Sequence, residues 1–489
     1  MNPSLALIIC ALGIAGLFYL DRDKTVHTSH ALWLPTLWLG ITGSRSLSIW
    51  FGMTVGTWDN QMVESSPLDS LAFQVLLALG IIVLVIRGKR TKTFLRGNWP
   101  VLIYFLYCLT SVMWSDYPDL SLKRWIKSLG DLVMVLIILT DAEPIEAFKS
   151  LVSRLGFVLL PASVLLIKYY GDLGRGYTPD GSPMNTGVTT NKNSLGVITL
   201  VLGLGVLWHF IELFRNKDLP DRRRHLIAQG TLLAFSLALL EMAQSATAVA
   251  CFILGAGLML GTGLRVIRRR PGGVHALLLF LALVGAAVLF VGGGTDIIHA
   301  LGRETTFTGR TDIWQAVIPV VPNTVFGAGF ESFWVGPRVE VVWDRLSQYM
   351  HVNEAHNGYL EVYLNLGWIG VCLIALVLIA GYIKIVGAFR RNPAVGGLLL
   401  AYLAAAAFYS ITEAGFRLLD PIWLFLLLAV EAPAAVTSDV TVEATESVIE
   451  PANFRTFHAD RKQQFVSRGT RAIGNSIVPT HPPVGRGTR

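Results

Sequence analysis

The chain has 489 residues, 53% of them hydrophobic and only 15% charged, with a formal net charge of +7 and a mean hydropathy of +0.55. Soluble domains carry about 25% charged residues, so this balance excludes a water-soluble enzyme and calls for a polytopic membrane protein. The positive charge does not point to nucleic acid, because it falls in short loops between apolar runs, where it orients helices in a bilayer.

In chain order, the first apolar run, Leu5 to Leu20, has no positive charge before it and no small-residue cleavage site after it, so it reads as a retained span. With it, candidate spans cover 4–20, 31–53, 68–86, 99–115, 121–140, 148–169, 194–214, 225–242, 245–264, 274–291, 358–381, 394–411 and 420–436. A helix of this kind crosses about 30 Å of hydrocarbon. Gly43, Ser44 and Arg45 interrupt the second run, which predicts a broken or re-entrant helix and leaves the total at 12–13. The expected fold is all-α: a polytopic membrane helix bundle over residues 1–436, with one large external loop containing short helices. The tail, 437–489, is polar and dotted with Pro and Gly, a composition that predicts disorder. Cys10, Cys108, Cys251 and Cys372 all sit in apolar runs without CxxC spacing and read as packing residues.

Three loops are strongly basic: Arg87, Lys89, Arg90, Lys92 and Arg96; Arg215, Lys217, Arg222, Arg223 and Arg224; and Arg265, Arg268, Arg269 and Arg270. Lys384, Arg390 and Arg391 make a weaker fourth. The positive-inside rule places all four in the cytoplasm, and the parity of the intervening spans agrees for every pair. The segment of about 292–357 is then a single large external loop, 171–193 a smaller one, and the tail cytoplasmic. Within the large loop Ile313, Trp314, Val317, Ile318 and Val321 recur at helical spacing. They predict short helices lying on the outer membrane surface, with Trp314, Phe333, Trp334 and Trp343 at interfacial depth.

Positive charge on the external side runs against the orientation bias. Lys123, Arg124, Lys127, Arg175, Lys192, Arg303, Arg310, Arg338, Arg345 and Arg417 form that set. A diphosphate at headgroup level needs such cations, since Arg pairs bidentately with phosphate oxygens. The alternative is pairing with lipid headgroups or with Asp116, Asp119, Glu331, Glu340 and Asp344. Arg310 stands out, because Thr308 to Asp312 resembles a loop-to-helix junction whose free N–H groups also favour an anion.

The second focus is Glu354-Ala355-His356-Asn357-Gly358-Tyr359, directly before a span. Neutral imidazole can take a proton from a sugar hydroxyl, as a general base must; the alternative is a histidine that caps the helix or bonds a headgroup. Of the ten histidines only His299, His351 and His356 can serve the outside. Asp21-Arg22-Asp23 has a metal–nucleotide-sugar form but no soluble domain around it, and no GxxxxGK, HExxH or Gly-x-Ser-x-Gly occurs. Asp116 and Asp119 remain a candidate metal-dependent carboxylate site.

These residues resemble the bacterial O-antigen ligase and polysaccharide polymerase superfamily, in particular its exopolysaccharide (succinoglycan-type) polymerase branch. The family motif His-[Asn/Ser/Gln]-x9-Gly-x-x-[Gly/Thr/Tyr] is met by His356-Asn357, nine residues, and Gly367-Trp368-Ile369-Gly370. The loop bearing Thr308-Gly309-Arg310 resembles the family's loop with its functional Arg. Ser44-Arg45-Ser46-Leu47-Ser48, Trp114-Ser115-Asp116-Tyr117-Pro118, Thr190-Asn191-Lys192-Asn193-Ser194-Leu195-Gly196 and Thr412-Glu413-Ala414-Gly415 extend the likeness over roughly residues 1–436. One departure is the turn Gln244-Ser245-Ala246-Thr247, which lacks the Arg that many members carry there.

The resemblance implies inverting glycosyl transfer at the outer face of a bacterial inner membrane, from an oligosaccharide on undecaprenyl diphosphate to another lipid-linked repeat. His356 would act as catalytic base, oriented by Asn357 or Glu354. Arg310, with Lys192 or Arg124, would hold the diphosphate, and Arg345 and Arg417 complete the expected substrate-binding set. No metal or other cofactor is implied, because diphosphate is a good leaving group. Expected partners are the lipid-linked donor and acceptor, membrane lipids, a flippase and a chain-length regulator, and no nucleic acid. A ligase moving finished chains onto lipid A core is the enzyme alternative. A polysaccharide flippase or transporter is the alternative of another class, and it calls for charges in mid-span, which are few here.

Overall fold

The computed structural model describes residues 2–23, 28–53, 66–178, 181–269, 272–286, 308–346 and 352–433. The tail expected over 437–489 and the outer parts of the large loop lie outside these residues. All the candidate spans carry helix: α1 Pro3–Leu20, α2 Trp33–Thr42, the one-turn α3 Leu47–Trp50, α4 Pro67–Ile86, the amphipathic α5 Gly88–Gly97, α6 Trp99–Thr110, α7 Pro118–Leu139, α8 Pro144–Tyr169, α9 Lys192–Arg215, α10 Arg222–Ala243, α11 Ala246–Thr262 and α12 Gly273–Ala286. The large loop contributes α13 Thr308–Val317 and α14 Pro337–Arg345, and the bundle closes with α15 Gly358–Arg391, α16 Pro393–Thr412 and α17 Pro421–Glu431. Seven of these helices are long and apolar enough to cross a membrane, and shorter apolar helices accompany them. The chain is an all-α polytopic membrane protein.

The local sequence explains many of the helix starts. Proline opens α1, α4, α7, α8, α14, α16 and α17, where its missing N–H is no loss. Asn191, Ser245, Asn357, Asn392 and Asp420 accept backbone N–H groups as N-caps. The second span breaks where expected, at Gly43 to Arg45 between α2 and α3. There Arg45 is buried and donates to the Leu173 carbonyl and to Thr186 Oγ1, tying the break to the loop of residues 171–193. That loop forms a two-stranded antiparallel hairpin, β1 Arg175–Tyr177 with β2 Pro183–Asn185.

Polar contacts between loops sort into two sets, one at each end of the bundle, as the parity of the spans predicts. Arg87 with Asp141 at 3.1 Å, His225 with Asp21 at 3.1 Å, Lys149 with Glu212 at 3.0 Å and Lys384 with Asn98 at 2.6 Å join loops and helix ends of the basic side. Arg310 with Glu413, Arg417 with Glu354, and Arg338 with Asp116 join elements of the opposite end. Along the bundle, α17 is buried over its whole length and α16 nearly so, while α1 and α4 expose Leu12, Val85 and Ile86 as lipid-facing helices do.

The loop aromatics pack into the protein rather than standing on a surface. Phe333 and Trp334 are buried with Ile313, Val317, Val339 and Val342 in a hydrophobic core of the loop's own, against which Trp314 and Trp343 pack. The reason is polar as well as apolar. The helix α15 supplies partners at the right depth, Asn365 Oδ1 for the Phe333 N–H at 3.0 Å and Glu361 for Trp334 Nε1 at 2.9 Å.

Gly367, the glycine of the spacing motif, interrupts α15 with φ +62 and ψ −165. The N–H groups of Trp368 and Ile369 turn instead to the carbonyls of Thr324 and Val325 in the loop, at 3.0 and 3.3 Å. A Cβ there would stand 2.2 Å from the Val325 carbonyl oxygen. Gly367→Ala is therefore expected to cost at least about 1–3 kcal/mol and to lower the melting temperature of the detergent-purified protein. Gly13→Ala in α1, where nothing lies within 4 Å, should leave it unchanged.

Candidate active site

The turn before α15 is held from several sides. Asn357 caps the helix, accepting from the Leu360 N–H at 3.0 Å, and donates its own amide to the Ile411 carbonyl at 3.1 Å. The Ala355 N–H donates to Glu361 at 2.5 Å, and the Ala355 carbonyl accepts from Trp314 Nε1 at 2.8 Å. Between these anchors His356 adopts φ +49, a left-handed conformation that a non-glycine residue holds only where its surroundings impose it.

That turn aims the imidazole at a buried carboxylate from the end of α16. His356 Nδ1 lies 3.0 Å from Glu354 Oε1 and 3.2 Å from Glu413 Oε2. Each carboxylate is also tied to an arginine, Glu413 Oε1 to Arg310 Nη2 at 2.6 Å and Glu354 Oε2 to Arg417 Nη1 at 2.9 Å. Asn193 Nδ2 completes the cluster, donating to Glu413 Oε2 at 3.2 Å. Burial by itself would lower the imidazole's pKa; the hydrogen bonds and charges of Glu354 and Glu413 outweigh it and raise the value to about 10. Glu354 moves the other way, to about 2, because His356 and Arg417 outweigh its burial. The two carboxylates thus favour the imidazolium over the neutral imidazole expected from the sequence. Both carboxylates use Nδ1, so Nε2 is the nitrogen left for a substrate.

Glu354, His356 and Glu413 offer ligand atoms within 4.8 Å of one another, close enough to seat a divalent ion. Such an ion would have to displace the proton of Nδ1 and face Arg310 and Arg417 across the same carboxylates, an unfavourable arrangement of charge.

Of the expected site residues, His356, Glu354, Arg310 and Arg417 come together. Asn357 adjoins them, with its side chain engaged in the cap. Arg124 is engaged elsewhere, donating to the Glu331 carbonyl, and Arg345 donates to the Ala316 carbonyl at 3.3 Å, which ties α14 to α13. Lys192 stands at the start of α9 beside Asn193, with no charged partner among the described residues. Asp116, a candidate metal carboxylate, is paired with Arg338. Glu413 and Asn193 were not singled out as site residues. Their signal was a carboxylate and an amide at the outer ends of apolar runs, inside stretches quoted only for likeness.

A multi-pass membrane bundle with a histidine–carboxylate–arginine cluster under a helical loop defines the class of protein. Residues 230–375 match the O-antigen ligase family. The chain is 27% identical over 317 residues, 62% of its length and 68% of the relative's, to "Exopolysaccharide production protein ExoQ" of Rhizobium meliloti. The resemblance read from the sequence, to the O-antigen ligase superfamily and its exopolysaccharide branch, is borne out.

Proposed function

We propose that the chain is an inverting glycosyltransferase of a bacterial inner membrane that polymerises oligosaccharide repeats linked to undecaprenyl diphosphate into exopolysaccharide at the outer face. The observation that carries this reading is the pairing of His356 with Glu354 and Glu413 beside Arg310, at the end of the bundle opposite the basic loops. The acceptor hydroxyl oxygen attacks the anomeric carbon as the carbon–oxygen bond to the diphosphate breaks. The hydroxyl proton goes to His356 Nε2, and the diphosphate leaves with the bonding pair, its charge met by Arg310. The two carboxylates stabilise the imidazolium this step produces, which is the role of the third member in a nucleophile–base arrangement. No metal takes part. Lys192, free of charged partners among the described residues, replaces the arginine missing from the Gln244–Thr247 turn better than Arg124, whose guanidinium is committed. Lys192→Ala should therefore lower polymer yield; equal yields from wild type, Lys192→Ala and Arg124→Ala would remove both from the site.

Because the resting imidazole must shed its proton before it can accept another, the rate should rise about tenfold per pH unit below its pKa and level off near 10. Glu413→Gln removes one of the charges that raise this pKa, so the plateau should begin at lower pH. An unchanged profile in the variant would separate His356 from the proton transfer.

The direct test is reconstitution of the purified chain in vesicles with carrier-linked repeats and excess chelator, sizing the glycans formed. Elongated carrier-linked products are expected. Product that forms only when lipid A core is supplied would make the chain a ligase, and repeats that cross the bilayer without elongation would make it a transporter.

A further inference from the structure

Beside the cluster lies a cavity of about 360 Å³ whose lining includes Ser44, Thr190, Asn191, Glu331, Asn353 and Asp420. Glu354, Glu413 and Arg417 form its wall toward the cluster, whereas Arg310 does not line it. Among the described residues its one lining cation is Arg417, already bound to Glu354; Glu413 is met by Arg310 and His356 from outside the lining, and burial raises Asp420 to about 7. A diphosphate would find no uncommitted cation in such a space. Hydroxyl, amide and carboxylate groups together instead match the donors and acceptors of an uncharged polyol, and the volume lies within the range of about 300–1,000 Å³ usual for small-molecule sites.

The cavity also accounts for sequence features that the catalytic cluster leaves unexplained. Three of the stretches that carry the family likeness meet there: Ser44 from the break between α2 and α3, Thr190, Asn191, Asn193 and Ser194 at the start of α9, and Glu413-Ala414 at the end of α16. A break in a membrane helix costs backbone hydrogen bonds, and irregular backbone at such a place is tolerated where it lines a polar cavity.

We infer that this cavity is the acceptor subsite, holding the terminal neutral sugar of the growing or incoming chain with Asp420, Glu331 and Asn353 as partners of its hydroxyls. The inference rests on the proposed glycosyl transfer and adds a division of the site. Arg310 serves the diphosphate, and the polar cavity serves the acceptor sugar. The cavity shares Glu354 and Glu413 with the cluster, so a sugar held there lies next to the catalytic group.

The test is saturation-transfer NMR on the detergent-purified full chain, using the host's oligosaccharide repeat cleaved from its carrier so that it bears neither lipid nor phosphate. Wild type and Arg310→Ala are expected to bind this probe alike. Asp420→Asn, which keeps an N-cap at α17, and Asn353→Ala, at an exposed residue with no hydrogen bond among the described residues, should each weaken it by up to about tenfold. Absence of any signal with wild type, or loss in Arg310→Ala with both cavity variants unaffected, would overturn the inference. Its failure is distinguishable from that of the proposed function. In the first case His356 variants still lose polymer while cavity variants bind normally; in the second, the sugar binds in the cavity and polymer forms without His356.

Discussion

His356→Ala in the native host is expected to abolish long glycan chains and leave single repeats on the lipid carrier at the outer face. Loss of a positioned base typically slows reaction by about 10²–10⁴-fold. Here the change also leaves Glu354 and Glu413 facing each other without the cation they share, so the upper end of that range is expected. Glycans still attached to the carrier are sized after extraction, with leaflet assigned by access to an added glycosidase. Long chains stranded on the carrier would mean ligation, repeats confined to the inner leaflet would mean translocation, and an unchanged ladder would take His356 out of the mechanism. His356→Gln is the companion variant, since it retains hydrogen bonding to the carboxylates without accepting a proton.

Arg310→Ala should have an effect of similar scale for a different reason. Its guanidinium bonds Glu413 through one nitrogen at 2.6 Å and is still partly exposed, which leaves donors for an incoming diphosphate. Removing one well-placed donor to a developing charge costs about 10²–10³ in rate. It also leaves Glu413 with His356 and Asn193 as its side-chain partners among the described residues. Arg310→Lys keeps the charge but loses the planar fork, and should recover only part of the activity. In the reconstituted vesicles the loss should appear in turnover with saturating carrier-linked repeat. Full activity in Arg310→Ala would assign the diphosphate to other cations and leave Arg310 as a brace for Glu413.

The apolar helices and the broken second helix were legible in the sequence, because hydrophobic run length acts locally and needs no tertiary contacts. His356 and Arg310 were legible through motif spacing and position. Glu413 was passed over, since a single carboxylate after Ile411-Thr412 carries no periodic signal; it gains meaning only when α16 brings it to the His356 turn. The packing of the loop tryptophans was hidden for the same kind of reason. Amphipathic aromatics suit a membrane interface and a small buried core equally well, and only the polar partners on α15 decide between the two.

The sequence by itself determined that this is an all-α membrane protein with its strongly basic loops gathered at one end. Those properties follow from transfer free energies that sum along the chain. Tertiary structure alone decided which carboxylates surround His356, the commitments of Arg124, Arg345 and Asn357, and the polar cavity beside the cluster. Each depends on groups separated by tens to hundreds of residues, whose charges couple only once packing brings them within a few ångströms.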